Sequence, residues 1–349
     1  LVAMFLAFLM GYNYAKTEEQ KCEEVYAGIT TLVAFLIVSP LSITVGEEVI
    51  GGVIPTTYMG SQGMFVALIL CYLVAKVYCK ILSSKLKIKL PDSVPPMVSS
   101  SFESLIPVII TLVLVCSINY CFTLTSFGNI HALVNEIIQK PLLLIGTGLP
   151  ALLISQGLAQ LLWFFGLHGD QIVGSVMDPI LQTAGMENLS AYTAGDAVPY
   201  IITDQFRALF VMIAFMSLVI AILIVSKSNR LKGVGKVAVL PATFCISEPV
   251  VFGAPVVMNA MLFIPWVLSR PVFGLITWLF MKFGLCPYPT GVAIPWTTPP
   301  VLSGFLATNS IMGAVVQIIC LAIGVLMFIP FVKMIDKTYH QEEIKTKEQ

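Results

Sequence analysis

Hydrophobic residues run through this chain in long blocks, and polar positions fall mostly between the blocks instead of alternating within them. Apolar runs of about 20 residues are the length a helix needs to cross a bilayer. The pattern predicts spans over Leu1–Ala15, Ala27–Val45, Tyr58–Leu82, Leu105–Thr125, a segment starting at Pro141, Gln205–Ser226, Val256–Lys282 and Ile311–Val332. Between the fourth and fifth the period changes. Ile130, Leu133, Val134, Ile137 and Ile138 recur at helical spacing with Asn129, Asn135, Glu136 and Gln139 on the other face, which predicts a short helix lying in the membrane interface. His131 belongs to that helix as an interfacial polar residue.

Two stretches do not read as ordinary spans. From Val237 to Ser269 the only charged side chain is Glu248, set in Ile246-Ser247-Glu248-Pro249 between Pro241 and Gly253-Ala254-Pro255. An acidic residue at the centre of a span costs roughly 2.5–3.5 kcal/mol, so such residues face a partner or a cavity. Non-helical backbone at that depth survives only where protein or trapped water satisfies it. These features, with the Leu285–Leu306 run, predict re-entrant hairpins at a transport site. The second stretch, Pro141–Pro199, carries Gly146, Gly148, Pro150, Ser155, Gln156, Gly157 and Gln160, then Gly166-Leu167-His168-Gly169-Asp170. Small and polar residues at this density fit a helix packed on other helices. His168, between glycines, is either an ordinary span end or a group that meets a ligand. Met177–Pro199 is expected to dip into the membrane and return.

Composition agrees: of 349 residues 57% are hydrophobic and 11% charged, too apolar for a soluble domain. A formal net charge of zero argues against a nucleic-acid partner. Lysine and arginine cluster at Lys76–Lys89, at Lys227–Lys236 and after Lys333, which places these loops and the C-terminus in the cytoplasm. The eight cysteines show no metal spacing and read as free thiols. The chain opens inside a hydrophobic segment without a signal-peptide pattern, so an upstream helix is expected to precede it.

The candidate chemistry is that of a neutral solute. Trp163 and Trp296 offer flat apolar faces, while His168, Glu248, Asn259, Thr297 and Thr298 offer hydrogen-bonding groups. No lysine or arginine adjoins His168 or Glu248 in sequence, and no second carboxylate adjoins Glu248. Aromatic faces with acidic and neutral hydrogen-bonders suit a polyhydroxylated ligand, whereas an anion would call for a nearby cation. For each tryptophan alone, helix packing is the commoner role.

The runs Ile246–Gly253, Pro289-Thr290-Gly291-Val292-Ala293-Ile294-Pro295-Trp296-Thr297-Thr298-Pro299-Pro300 and Trp163–Gly169, with the basic Lys85–Pro96 segment and Ser99, Phe102 and Ile106-Pro107 after it, closely resemble the membrane-spanning IIC permease of the bacterial sugar phosphotransferase system, in its lactose/cellobiose/diacetylchitobiose branch. Members mostly carry Thr where Ser247 stands and often Asn-Pro where Asn259-Ala260 stands. The resemblance implies an all-α polytopic membrane protein of about ten transmembrane helices, the first apparently missing here, with two re-entrant hairpins. It implies a dimerising half over residues 1–140, a transport half over 141–335 and a cytoplasmic tail over 336–349. The expected function is inward carriage of a disaccharide across the bacterial cell membrane, with phosphorylation by a cytoplasmic phospho-IIB protein. His168 and Glu248 would act at the reacting hydroxyl, while Trp163, Asn259, Trp296 and Thr297 would help bind sugar. The expected partners are the sugar, the IIB protein, lipid and a second copy of the chain, with no metal or cofactor. The chain offers no phosphate-binding glycine loop of its own, so the phosphate is expected from a partner, with sugar phosphotransferase activity only together with the IIB component. An ion-coupled transporter of a neutral solute is the alternative; intramembrane protease motifs are absent.

Overall fold

The structure, a computed structural model, describes residues 2–17, 24–45, 48–86, 88, 90–91, 93–254 and 256–348. Cys22, Glu47, Lys87, Lys89 and Pro255, which figured in the sequence reading, lie outside the described residues. The chain forms two compact units, Leu1–Leu142 and Leu143–Gln349.

In the first unit, α1 (Val2–Thr17) packs on α2 (Glu24–Val38). Ala3, Ala7, Gly11 and Ala15 of α1 are its buried positions, one small residue per turn. That stripe lets the helices approach until a Cβ at Gly11 would stand 2.5 Å from the Ala27 carbonyl oxygen. Thr31 uses the proximity to donate its hydroxyl to the Ala7 carbonyl at 2.8 Å.

The span expected over Ala27–Val45 stops at Val38, because Pro40 cannot continue the helix. The β-branched run after it pairs as β1 (Ser42–Val45) with β2 (Glu48–Gly51), antiparallel, Ser42 opposite Gly51. Helices α3 (Thr56–Met59), α4 (Ser61–Leu82), α5 (Pro96–Thr123) and α6 (Ile130–Val134) follow, then a π-helical turn (Asn135–Gln139) and α7 (Lys140–Gly146). The predicted interfacial helix is therefore not regular. The extra residue of the π turn breaks the apolar face, leaving Ile137 exposed while Ile130 and Val134 are buried. His131 is buried, not interfacial, with its Nε2 3.0 Å from Ser39 Oγ and its ring against Phe35 and Tyr58.

The second unit contains α8 (Leu149–Phe164), α9 (Gly169–Ala194), a π turn and a 3-10 turn (Phe206–Ala214), α10 (Phe215–Val225), α11 (Asn229–Thr243), α12 (Glu248–Gly253), α13 (Ala260–Lys282), α14 (Leu302–Thr308) and α15 (Ile311–Glu348). Among the described residues five helices are long and apolar enough to cross a membrane, or up to six if Ile130–Gly146 and Leu149–Phe164, bent by 72° at their junction, count as one span.

Met177–Pro199 is not the hairpin expected. It is the second half of α9, which runs unbroken through Pro179 and ends at Gly195, in the left-handed conformation that glycine adopts without strain. The glycines that obscured its hydropathy are contact points: a Cβ at Gly291 would lie 2.2 Å from the Gly185 carbonyl oxygen, so α9 and the stretch before Trp296 touch backbone to backbone. The basic tail is likewise helical, as the end of α15. There Asp336 accepts hydrogen bonds from the Lys227 and Ser228 amides at 2.7 and 2.9 Å, capping the start of α11.

Candidate functional site

The second unit encloses a cavity of about 630 Å³. Its first wall comes from the α8–α9 turn. Trp163 ends α8 and His168 caps α9, with its Nδ1 3.4 Å from the Gln171 amide. Their ring centroids are 4.5 Å apart. The turn is tight because Gly169 sits against α8, where a Cβ would fall 2.0 Å from the Ala159 carbonyl oxygen. Trp163 is only 3% exposed, and its indole N–H donates to Asp170 at 2.9 Å. Asp170 in turn accepts from both terminal nitrogens of Arg270 on α13, one of them at 3.0 Å. Reciprocal hydrogen bonds between Gln160 and Trp266, 3.0 and 3.1 Å, fix α13 to α8 and so hold Arg270 in place.

The second wall carries Asp178 and Gln182 from α9 with Asp204, Gln205 and Arg207 from the segment before α10. Arg207 pairs with Asp178. Glu248 and Ser247, at the start of α12, together with Ile294, Pro295 and Trp296, complete the lining. Glu248 makes no ion pair among the described residues. Trp296 is 58% exposed, in contrast to Trp163, so its ring face is open.

Four of the residues singled out in the sequence, Trp163, His168, Glu248 and Trp296, therefore share one cavity. Asn259 and Thr297 are not among its lining residues. Asn259 caps α13, accepting from the Met261 amide at 3.0 Å, which is a hydrogen-bonding task a sequence cannot tell from ligand binding. Trp266, 1% exposed, and Trp278, beside Lys282, also lie off the cavity.

No lysine, arginine or second carboxylate adjoins Glu248 in sequence, but the fold brings charged residues to the cavity that it lines. Asp170, Asp178, Asp204, Arg207 and Arg270 all line the cavity. They sit 22 to 78 positions from Glu248 in the chain, too far for adjacency in sequence to show what helix packing brings together. His168-Gly169-Asp170 held the one available signal, an acidic residue directly after the candidate turn. The seven described cysteines form no disulfide with one another, and Cys245 lies on the cavity wall.

A helical bundle whose membrane-crossing elements break beside a polar, aromatic-walled cavity is the architecture of a solute transporter. The family described as phosphotransferase system, EIIC, matches residues 1–269, and the chain belongs to it. It is 42% identical over 97% of its length to the oligo-beta-mannoside-specific EIIC component of Bacillus subtilis (strain 168), covering 77% of that protein. It is 37% identical to the cellobiose-specific EIIC component of Geobacillus stearothermophilus, over 97% of this chain and 78% of that one. In three dimensions it is similar to the crystal structure of the transporter ChbC, the IIC component from the N,N'-diacetylchitobiose-specific phosphotransferase system, with a TM-score of 0.93 at 35% identity over 98% of this chain and 81% of that chain. The protein is a multi-pass, helical membrane permease of the sugar phosphotransferase system.

Proposed function

We propose that this chain carries a disaccharide of the cellobiose, diacetylchitobiose or lactose type inward and presents it to a cytoplasmic phospho-IIB protein. The observation that carries the reading is the meeting of Trp163, His168, Glu248 and Trp296 around one cavity. A volume near 630 Å³ lies in the range of small-ligand sites. The named sugars of the relatives set the class of substrate.

In this reading Trp296 stacks on a sugar ring, Trp163 closes the same end, and His168 and Glu248 hold the hydroxyl that reacts. That oxygen attacks the phosphorus of the IIB phosphocysteine, the S–P bond breaks, and the hydroxyl proton passes to the Glu248 carboxylate. Phosphoryl transfer depends chiefly on such positioning and charge placement. Asn259 supports the site by capping α13, and Thr297 offers a hydroxyl next to Trp296. Residues 141–335 form the transport half, residues 1–140 pair with a second copy in the lipid, and residues 336–349 form the cytoplasmic tail.

The test is uptake of cellobiose, diacetylchitobiose and lactose by cells that supply the matching IIB protein. Intracellular sugar phosphate is expected for at least one of them, and only when IIB is present. Accumulation of unmodified sugar that follows an ion gradient and ignores IIB would instead establish the ion-coupled alternative.

A further inference from the structure

The charges on the cavity wall bear on the product as well as the substrate. Four carboxylates, Asp170, Asp178, Asp204 and Glu248, face two guanidiniums, Arg207 and Arg270. Both guanidiniums are already committed. Arg270 holds Asp170 through two nitrogens and has a side chain 2% exposed, and Arg207 pairs with Asp178 with a side chain 10% exposed. Proteins bind phosphate through arginine forks and open helix N-termini. Here the forks are filled by aspartates, and the first turn of α9 that faces the cavity carries Asp170 itself. Asp204 and Glu248 make no ion pair among the described residues, so they leave the wall with excess negative charge. Asp204 is held against Gly185, where a Cβ would fall 2.3 Å from its Oδ1.

We infer that the cavity is built to reject the phosphorylated form of the sugar it accepts, with Asp204 a specificity-determining residue for that rejection. The inference rests on the disaccharide reading above. A phosphate monoester carries about −1.5 to −2 charges at pH 7. Once the phosphoryl group reaches the sugar oxygen, the same wall that hydrogen-bonds hydroxyls repels the product, and return of sugar phosphate into the site is disfavoured. Glu248 contributes to this repulsion in addition to its part in the transfer, whereas Asp204, from the segment before α10, is given no part in the transfer.

The test is equilibrium binding of cellobiose, diacetylchitobiose and lactose, and of the 6'-phosphate of whichever binds, to the purified full chain in detergent. The parent is expected to prefer the neutral sugar by about 100-fold, the scale of one like-charge contact about 6 Å apart at a protein effective dielectric of about 20. Asp204→Asn should shrink that ratio by about 10-fold, and Asp204→Glu should restore it. Because the ratio compares two ligands on the same preparation, loss of folded protein cancels. Should Asp204→Asn not fold, Glu248→Gln must shrink the ratio in the same sense. Equal affinity for sugar and sugar phosphate in the parent, or a ratio the neutralising variant leaves unchanged, would overturn the inference while leaving the disaccharide reading intact. Failure of all three neutral sugars to bind would overturn that reading and this inference together.

Discussion

The two interruptions that reach the cavity are built in opposite ways. The one that carries Glu248 is held mainly by its own backbone. The Cys245 and Ile246 amides donate to Ala242 and Pro241, those of Val250 and Val251 to Ser247, and Val256 to Val251, all at 2.9–3.1 Å and all within five residues. Among the described residues its ties to distant elements are the Met258 amide on the Phe164 carbonyl at 2.9 Å and the longer contact of the Cys245 thiol with the Thr298 carbonyl at 3.7 Å. The one that carries Trp296 is pinned by three side-chain amides from elsewhere. Asn188 donates to the Pro289 carbonyl at 2.8 Å, and Gln205 accepts from the Gly291 amide at 3.2 Å and donates to the Val292 carbonyl. Gln317 accepts from the Val301 and Gly304 amides at 2.5 and 3.0 Å and donates to Leu209 and Ser303. Both designs satisfy exposed backbone away from water, as a membrane interior demands. The difference assigns them separate work. On the proposed function, the externally pinned Trp296 stretch would serve as the platform and the locally held Glu248 turn as the element that adjusts around the reacting hydroxyl.

The sharpest way to separate the two is to remove function from one and anchoring from the other. Glu248→Gln keeps a hydrogen-bonding group but cannot take the proton. Sugar binding should remain measurable while IIB-dependent phosphorylation falls by 10²- to 10⁴-fold, equivalent to about 3–5 kcal/mol of barrier. Its melting temperature should stay near that of the parent, since the turn does not depend on the Glu248 side chain. A variant that phosphorylates sugar at the parental rate would reduce Glu248 to a binding residue. Gln317→Leu should do the reverse, leaving the Val301 and Gly304 amides buried without a partner at a cost of about 2–4 kcal/mol in stability. The cap at the other interruption is smaller, so Asn259→Ala should cost only about 1 kcal/mol. Thermal melting of both in one detergent would refute the contrast if the losses were equal.

The tryptophans extend the comparison at a lower amplitude. Trp296→Ala should weaken sugar binding by about 1–3 kcal/mol with little change in melting temperature, because its ring is open to the cavity. Trp163→Ala should lower both, since its indole is buried and hydrogen-bonded to Asp170. Parallel loss of stability in the two variants would remove Trp296 from the role of a free stacking platform.

Sequence patterning identified the long spans and both interruptions because apolar length and misplaced prolines, glycines and a lone carboxylate are local signals. It could not identify α9 as continuous, since Gly174 and Gly185 lower its hydropathy for reasons that lie in its neighbours: Gly185 meets Asp204 and Gly291. Nor could it distinguish Asn259 the helix cap from Asn259 the ligand, because both roles use the same amide. The Asp170–Arg270 pair joins residues 100 positions apart, and the charge pattern of the cavity emerges only when α9 and α13 pack. Periodicity likewise puts His131 on a polar face, whereas Phe35, Ser39 and Tyr58 from distant parts of the chain bury it.

Accessibility of a single thiol provides the most direct check that sugar occupies the space between the two interruptions. Ser247 lines the cavity beside Glu248, and Thr193 is exposed near the far end of α9. In a chain with its native cysteines replaced by serine or alanine, Ser247→Cys and Thr193→Cys would each be labelled with a small thiol reagent, with and without cellobiose, diacetylchitobiose or lactose. A sugar held there should slow labelling at position 247 with a saturable dependence on its concentration and leave position 193 unaffected. Equal labelling at position 247 with and without a sugar that binds the protein would contradict a sugar site bounded by Glu248 and Trp296.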